Sequence, residues 1–434
     1  TASLVTTTLR ACSTVSGVVW YCSLKPTSPC VSPGWRPLAA AVCGALRAAG
    51  VVWARDWSLK WQDIEPRPGA FTFARSDPQI DRLAESGMRA ICLLPPFPSA
   101  NWSSEGPASA TTEGYPGVRA RMAYAPRDPA LLARFIRTTA KHYAGRVRTW
   151  EFLNEPLFTD YALPAEGHGI PGPGYTAADY VKLLRVASES LKAEDPGCVL
   201  VGGIAGGPDT FTREFLAADG LRWVDALNLH IYPGRRTPES FSAPLAELRA
   251  LMARHGGPKP IWITEYAYYG IDELPWTPHL AGGDWAGSRL LRDERQAAEY
   301  AVRFAVLMLA QGAEKLFYHS GASGAVNDPG LENPLLADGG RPRKAYAAQA
   351  ALANLLGPSP KFLERLDGPG AYGVRFRTER GTLTVAWTDD APRPLPASWF
   401  PGSVPAARDL MGNPIPARNV TLSSSAVYFE SEPH

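Results

Sequence analysis

The chain has 434 residues, of which 45% are hydrophobic and 20% charged, an ordinary globular balance with enough apolar material for one large core and a satellite domain. A net charge of +2 with no block of Lys and Arg argues against nucleic acid or an anionic membrane surface as a partner. No apolar run reaches the length of a membrane span, and even 301–310 is interrupted by Arg303.

Residues 1–15 are rich in Thr and Ser without helical period and read as an extended segment able to pair with something distant. A strand-length apolar run at 17–22 is followed by a Pro- and Ser-rich loop and by a helix over 37–49, the first strand-helix unit. Strands follow at 51–56, 89–94 and 149–155, with helices at 77–86 and 129–143 between them. The pattern continues with a helix at 175–193, a strand at 198–202, a short helix at 212–218, a strand at 223–230 and a helix at 243–255. A strand at 260–265, a helix at 292–311, a strand at 314–319 and a helix at 344–356 complete it. Eight such alternations predict an α/β fold, a (β/α)8 TIM barrel over 16–358, rather than an open sheet. The glycines of 202–207 fit neither a P-loop nor a dinucleotide fingerprint, and close backbone packing explains them as well. After Gly357-Pro358-Ser359-Pro360 the runs at 372–376, 383–387, 407–410 and 420–429 read as strands with no helix between them, so 361–434 is expected to be a small all-β, sandwich-like domain. The segment 1–15 is a candidate to pair with it.

Two of the predicted barrel strands end in a glutamate: Thr149-Trp150-Glu151-Phe152-Leu153-Asn154-Glu155-Pro156 and Pro260-Ile261-Trp262-Ile263-Thr264-Glu265-Tyr266. The C-terminal strand ends of a parallel barrel carry its working face. Two acids at two such tips suggest paired-carboxylate chemistry, in which one carboxyl gives and takes a proton while the other attacks carbon. The bland alternative for either glutamate alone is a solvated loop residue. The seven histidines are scattered and no Cys-x-x-Cys pair occurs, so no metal and no cofactor is expected.

Cysteines speak to the compartment. Four of six, Cys12, Cys22, Cys30 and Cys43, crowd the amino terminus, and the chain does not start with methionine, which together suggest a secreted, extracellular or periplasmic protein with disulfides. Among the three pairings that four cysteines permit, Cys22 with Cys30 across a short Pro-containing loop and Cys12 with Cys43 are the leading expectation. Cys92 and Cys198 lie in or beside apolar runs and read as reduced core residues.

The motifs resemble those of clan A glycoside hydrolases, retaining (β/α)8 enzymes. The resemblance covers nearly the whole chain and rests on Asn154-Glu155-Pro156, Thr264-Glu265, Arg55 at a strand end, His230-Ile231-Tyr232, and the segment from Trp61 through Gln62-Asp63-Ile64-Glu65-Pro66-Arg67-Pro68-Gly69-Ala70 to Phe71. It looks most like family 39, and also like families 5 and 42. The resemblance implies a glycosidase acting by double displacement on an oligosaccharide, polysaccharide or glycoside, with Glu155 as acid/base and Glu265 as nucleophile. It further implies that Asn154 bonds the sugar 2-hydroxyl and that Arg55 and Tyr232 hold Glu265 ionised and oriented, with His230 beside them. Trp102, Trp276 and Trp285 lie on loops that could line sugar subsites, while an exposed Trp is as often simple packing. The clan commonly places a Trp at the end of its eighth strand, where this chain has Leu316-Phe317-Tyr318-His319-Ser320, so His319 or Tyr318 is expected to take that place. A transglycosylase and a non-catalytic carbohydrate-binding protein on the same fold are the alternatives.

Overall fold

The structure, a computed structural model, describes residues 35–108, 110, 120–167, 174–270, 290–319, 335–337, 341–366, 368–389 and 391–432. Among the described residues, seven parallel strands form one sheet in chain order: β1 (Trp53–Asp56), β2 (Arg89–Leu93), β3 (Thr149–Glu151), β4 (Val199–Ala205), β5 (Ala226–Ile231), β6 (Ile261–Tyr266) and β7 (Ala313–Tyr318). The run at 17–22, expected as the first strand of an eight-stranded barrel, lies outside the described residues, as does 1–15. Helices alternate with the strands, among them Asp77–Glu85, Pro129–His142, Ala177–Glu194, Ser242–Arg254 and Glu294–Ala310, with Lys344–Leu356 after β7. Their starts follow local chemistry. The Asp128 side chain accepts from Ala130 N ahead of Pro129, and Thr176 with Asp179 forms a capping box. Among the described residues no helix is long and apolar enough to cross a membrane.

Strand alternation divides the side chains between two environments. Ala54, Cys92, Trp150, Leu200, Leu227, Leu229, Ile261, Ile263, Leu316 and Tyr318 join the large core shared with the helices. Ile91, Val201, Ala226, Trp262 and Phe317 form a separate cluster with Trp53 and Val199. These lie at the alternate strand positions, so this second cluster is the filling of the barrel interior. The same register carries Arg55, Glu151, Asn228 and Thr264 to the next inward layer, toward the strand ends. Gly203 belongs to that register at φ +146°, and a Cβ there would meet Asn228 Oδ1 at 2.7 Å. Close approach therefore accounts for this glycine.

The carboxy-terminal sheet is antiparallel and six-stranded, in the order Lys361–Arg365, Tyr372–Thr378, Gly381–Trp387, Val427–Ser431, Ala406–Arg408, Pro414–Ile415. It is the expected all-β unit, and it is bound firmly to the barrel. Val374, Phe376, Leu383, Val385 and Trp387 continue the main core. Glu239 accepts from Arg303 Nε at 2.9 Å and from Trp387 Nε1 at 2.8 Å, so an ion pair within the barrel is also hydrogen-bonded to the carboxy-terminal sheet.

Two expectations are corrected. The strand read as 149–155 ends at Glu151, because Leu153, Glu155 and Leu157 take left-handed φ values of 61°, 46° and 68° that no strand contains. Cys43 is a free buried thiol, so it does not pair with Cys12. Cys12, Cys22 and Cys30 lie outside the described residues, and Cys92 and Cys198 are free and buried.

Candidate active site

Arg55, at the end of β1, organises the inward layer. It is fully buried, pairs through Nε with Glu151, and donates from Nη1 to Glu265 Oε1 at 2.5 Å and from Nη2 to Asn154 Oδ1 at 2.9 Å. One planar guanidinium thus fixes groups from β6 and from the segment after β3 in a single geometry. Glu151 is itself fully buried and accepts at Oε1 from Asn228 Nδ2 at 2.8 Å and from Thr264 Oγ1 at 3.1 Å.

The left-handed residues after β3 aim Glu155 at the centre. Leu153 N and Asn154 N donate to the carbonyls of Pro95 and Pro96 at 3.2 and 3.1 Å, so the segment after β2 holds the bend in place. Non-glycine residues in this region carry strain of about 1 kcal/mol or more each, which the two hydrogen bonds and the full burial of Phe152 and Leu153 offset. Glu155 Oε1 then lies 2.8 Å from His230 Nδ1, while the same nitrogen lies 3.5 Å from Glu265 Oε2. Carboxylate oxygens of Glu155 and Glu265 and a ring nitrogen of His230 all lie within 4.8 Å of one another. The three groups are also spaced closely enough to ligate a cation.

Glu265 is surrounded by donors. Tyr232 OH donates to Oε2, and His319 Nε2 stands 4.0 Å from the same oxygen. Burial alone would raise the Glu265 carboxyl, but the facing His230 and His319 rings when protonated, the Arg55 guanidinium and the Tyr232 hydroxyl outweigh it and hold the group well below the usual carboxylate range. Burial, and then the Glu265 charge, push the Tyr232 hydroxyl well above its ordinary value, so it remains a donor.

Arg55, Asn154, Glu155, His230, Tyr232, Glu265 and His319 therefore converge. His319 follows β7, its ring edge-on to Tyr232 with centroids 5.7 Å apart, whereas the Tyr318 hydroxyl turns away to the Tyr268 carbonyl at 2.9 Å. Of the two residues expected at that place, His319 is the one that faces the acids. Trp102 Nε1 donates to the Glu65 carbonyl at 2.7 Å, and its half-buried ring packs edge-on against Trp61 at 6.0 Å. Trp276 and Trp285 lie outside the described residues. The segment from Trp61 folds around Glu65, which is fully buried and accepts from Trp61 Nε1 at 2.9 Å and Gly69 N at 2.6 Å.

Sequence reasoning overlooked Glu151, Asn228 and Thr264 as parts of the site. The signal was present: a carboxylate inside the apolar run Trp150-Glu151-Phe152, and Ala226, Asn228 and His230 at alternate positions of one strand. A buried carboxylate requires a cation or several donors, and Arg55 was already a candidate.

Residues 169–274 match the family model of the glycosyl hydrolase catalytic core. This span holds β4 to β6 and with them His230, Tyr232 and Glu265. Solved structures with the same fold include a family 39 glycoside hydrolase of Bacteroides cellulosilyticus, 18% identical with a TM-score of 0.68, the alignment covering 96% of this chain and 81% of that one. A glucosidase of Croceicoccus marinus is 15% identical at a TM-score of 0.56, with 94% and 80% covered. A family 51 α-L-arabinofuranosidase of Bifidobacterium longum is 14% identical at 0.54, with 96% and 97% covered. The fold is that of the TIM-barrel glycoside hydrolases.

Proposed function

We propose that this chain, which carries a glycosyl hydrolase catalytic core on a TIM-barrel fold, hydrolyses glycosidic bonds with net retention, using Glu265 as nucleophile and Glu155 as acid/base. The observation that carries the reading is that one carboxylate oxygen of Glu155 lies within 4.8 Å of one of Glu265. Retaining enzymes hold the pair about 5–5.5 Å apart and inverting ones about 6.5–9.5 Å.

The roles follow from the contacts. Glu265, kept anionic and oriented by Arg55 and Tyr232, attacks the anomeric carbon as Glu155 gives its proton to the departing oxygen. The Glu265 ester neutralises the negative charge that faced Glu155, which then takes a proton from water as the water oxygen attacks the same carbon and the ester bond breaks. Because Asn154 Oδ1 is occupied by Arg55, its amide N–H groups are the ones left for a sugar hydroxyl. His319 brings a polar edge to the floor beneath the reacting sugar. Hydrolysis in this reading uses only these side chains and water. A secreted location is part of this reading and rests on Cys12, Cys22 and Cys30 in the amino-terminal sequence.

The test is stereochemical. Proton NMR of an aryl-glycoside digest, recorded before mutarotation, is expected to show a first product with the configuration of the bond cleaved. An inverted first product would make Glu265 a base and overturn the reading.

A further inference from the structure

The hydrogen bonds behind Glu155 have a direction that can be traced from one end. Glu151 is ion-paired with Arg55, so its oxygens accept and do not donate. Asn228 Nδ2 gives a hydrogen to Oε1 at 2.8 Å, and the Thr264 hydroxyl, 3.1 Å from the same oxygen, gives its single hydrogen there too. The Thr264 oxygen is left with lone pairs toward His230 Nε2, 3.1 Å away, so Nε2 must carry a hydrogen. A neutral imidazole has one N–H. Its Nδ1 is then an acceptor, and it faces Glu155 Oε1 at 2.8 Å.

We propose that Glu151, acting through Thr264, locks neutral His230 as the Nε2–H tautomer, so that the Glu155 proton is shared with His230 Nδ1 and the working pH range of the acid is set by this chain of bonds. The proposal deepens the acid/base assignment of Glu155 and rests on it. Glu151 and Thr264 are positioning residues in this scheme, since they act through His230.

The direction matters for both halves of a double displacement. A protonated Glu155 gains a hydrogen bond to Nδ1, whereas an ionised Glu155 faces a lone pair at the same distance. The hydrogen bond between them is complete only while the pair holds a proton. Once the proton has gone to the departing glycosidic oxygen, the same repulsion favours its recovery from the attacking water. Among the described residues, the other charged or titratable groups facing this pair are Glu265 from β6, Arg55 from β1, Tyr232 after β5 and His319 after β7. They help set where the pH limbs fall, but the tautomer is decided on the Nε2 side by Thr264.

Thr264→Val removes the hydroxyl and keeps the branched shape. His230 is then able to carry its hydrogen on Nδ1 and donate it to the Glu155 carboxylate, a bond to an anion that moves the alkaline limb of the pH–kcat/KM profile down by about one unit. Thr264→Ser restores the hydroxyl and is expected to restore the limb. Nitrogen-15 NMR of the histidine rings gives a readout independent of turnover: the wild-type protein should show the Nε2–H form of His230 at alkaline pH and Thr264→Val the Nδ1–H form. An Nδ1–H ring in the wild type overturns the relay even if the protein proves to be a glycosidase. So does an alkaline limb in Thr264→Val that stays put or moves up. If Thr264→Val fails to fold, the wild-type and Thr264→Ser spectra decide, and a chain inactive on every glycoside tried still reports its tautomer.

Discussion

Arg55→Met keeps the apolar stem and removes the charge at the centre of the site. The wild-type side chain is fully buried, pairs with Glu151 and Glu265 and donates to Asn154. In the variant two buried carboxylates lose the cation they share, and breaking a buried pair by removing one partner costs about 3–5 kcal/mol. With an unfolding entropy of about 2 cal/mol/K per residue, a chain of this size has about 0.9 kcal/mol/K, so the midpoint should fall by roughly 4 °C at pH 7. The pH dependence carries the sharper signature. The folded Glu265 carboxyl is held below its unfolded value, with burial opposing the shift and His230, His319, Arg55 and Tyr232 producing it. Its stabilising contribution is thus complete above the ordinary carboxylate range and is lost as pH falls through the depressed folded value. The variant gives up part of that contribution, so its deficit should be largest near pH 7 and narrow as the solution is taken below about pH 4. Calorimetry at both pH values measures this, and the acid limb of the pH–rate profile should move up alongside. A variant with the wild-type midpoint at pH 7, or a deficit that grows in acid, would refute the reasoning.

Glu155→Ala should spare aryl glycosides with very good leaving groups far more than natural ones, since those groups depart unprotonated, and azide should rescue the second step; a uniform loss without rescue would reduce Glu155 to a structural role. Lys315 points into the barrel beneath the site, 4.0 Å from the Trp262 ring centre and 5.5 Å from that of Trp53, and burial lowers its pKa to about 8. A depressed lysine costs stability while the folded group is charged, so the wild type should gain stability as pH rises from about 8 toward 10.5. Lys315→Met should flatten that slope in urea titrations, and an unchanged slope would show that the buried ammonium is not its source.

Much of the architecture was legible because period and spacing are local. The alternating runs from Val51 onward had the lengths and breakers of strand-helix units, and the described strands fall within a few residues of the places read for them, with the helix Lys344–Leu356 matching at both ends. The glutamates of Asn154-Glu155 and Thr264-Glu265 stood out because a carboxylate next to a buried strand needs a partner or a purpose. What the sequence alone could not decide is how far these groups stand from one another and in which direction their hydrogen bonds run. Glu151 looked like one more residue of an apolar strand until the barrel register turned it inward beside Arg55. The left-handed bend at Leu153, Glu155 and Leu157 depends on carbonyls of Pro95 and Pro96 from a different loop, and no propensity scale encodes a partner so distant in the chain. His319 and Tyr318 were equal candidates by position, and only closure of β7 against β6 turned the histidine toward Glu265 and the tyrosine away. Periodicity fixes which face a side chain takes; the contacts between faces are set by strand register and the packing of the whole barrel, which sum interactions over the entire chain.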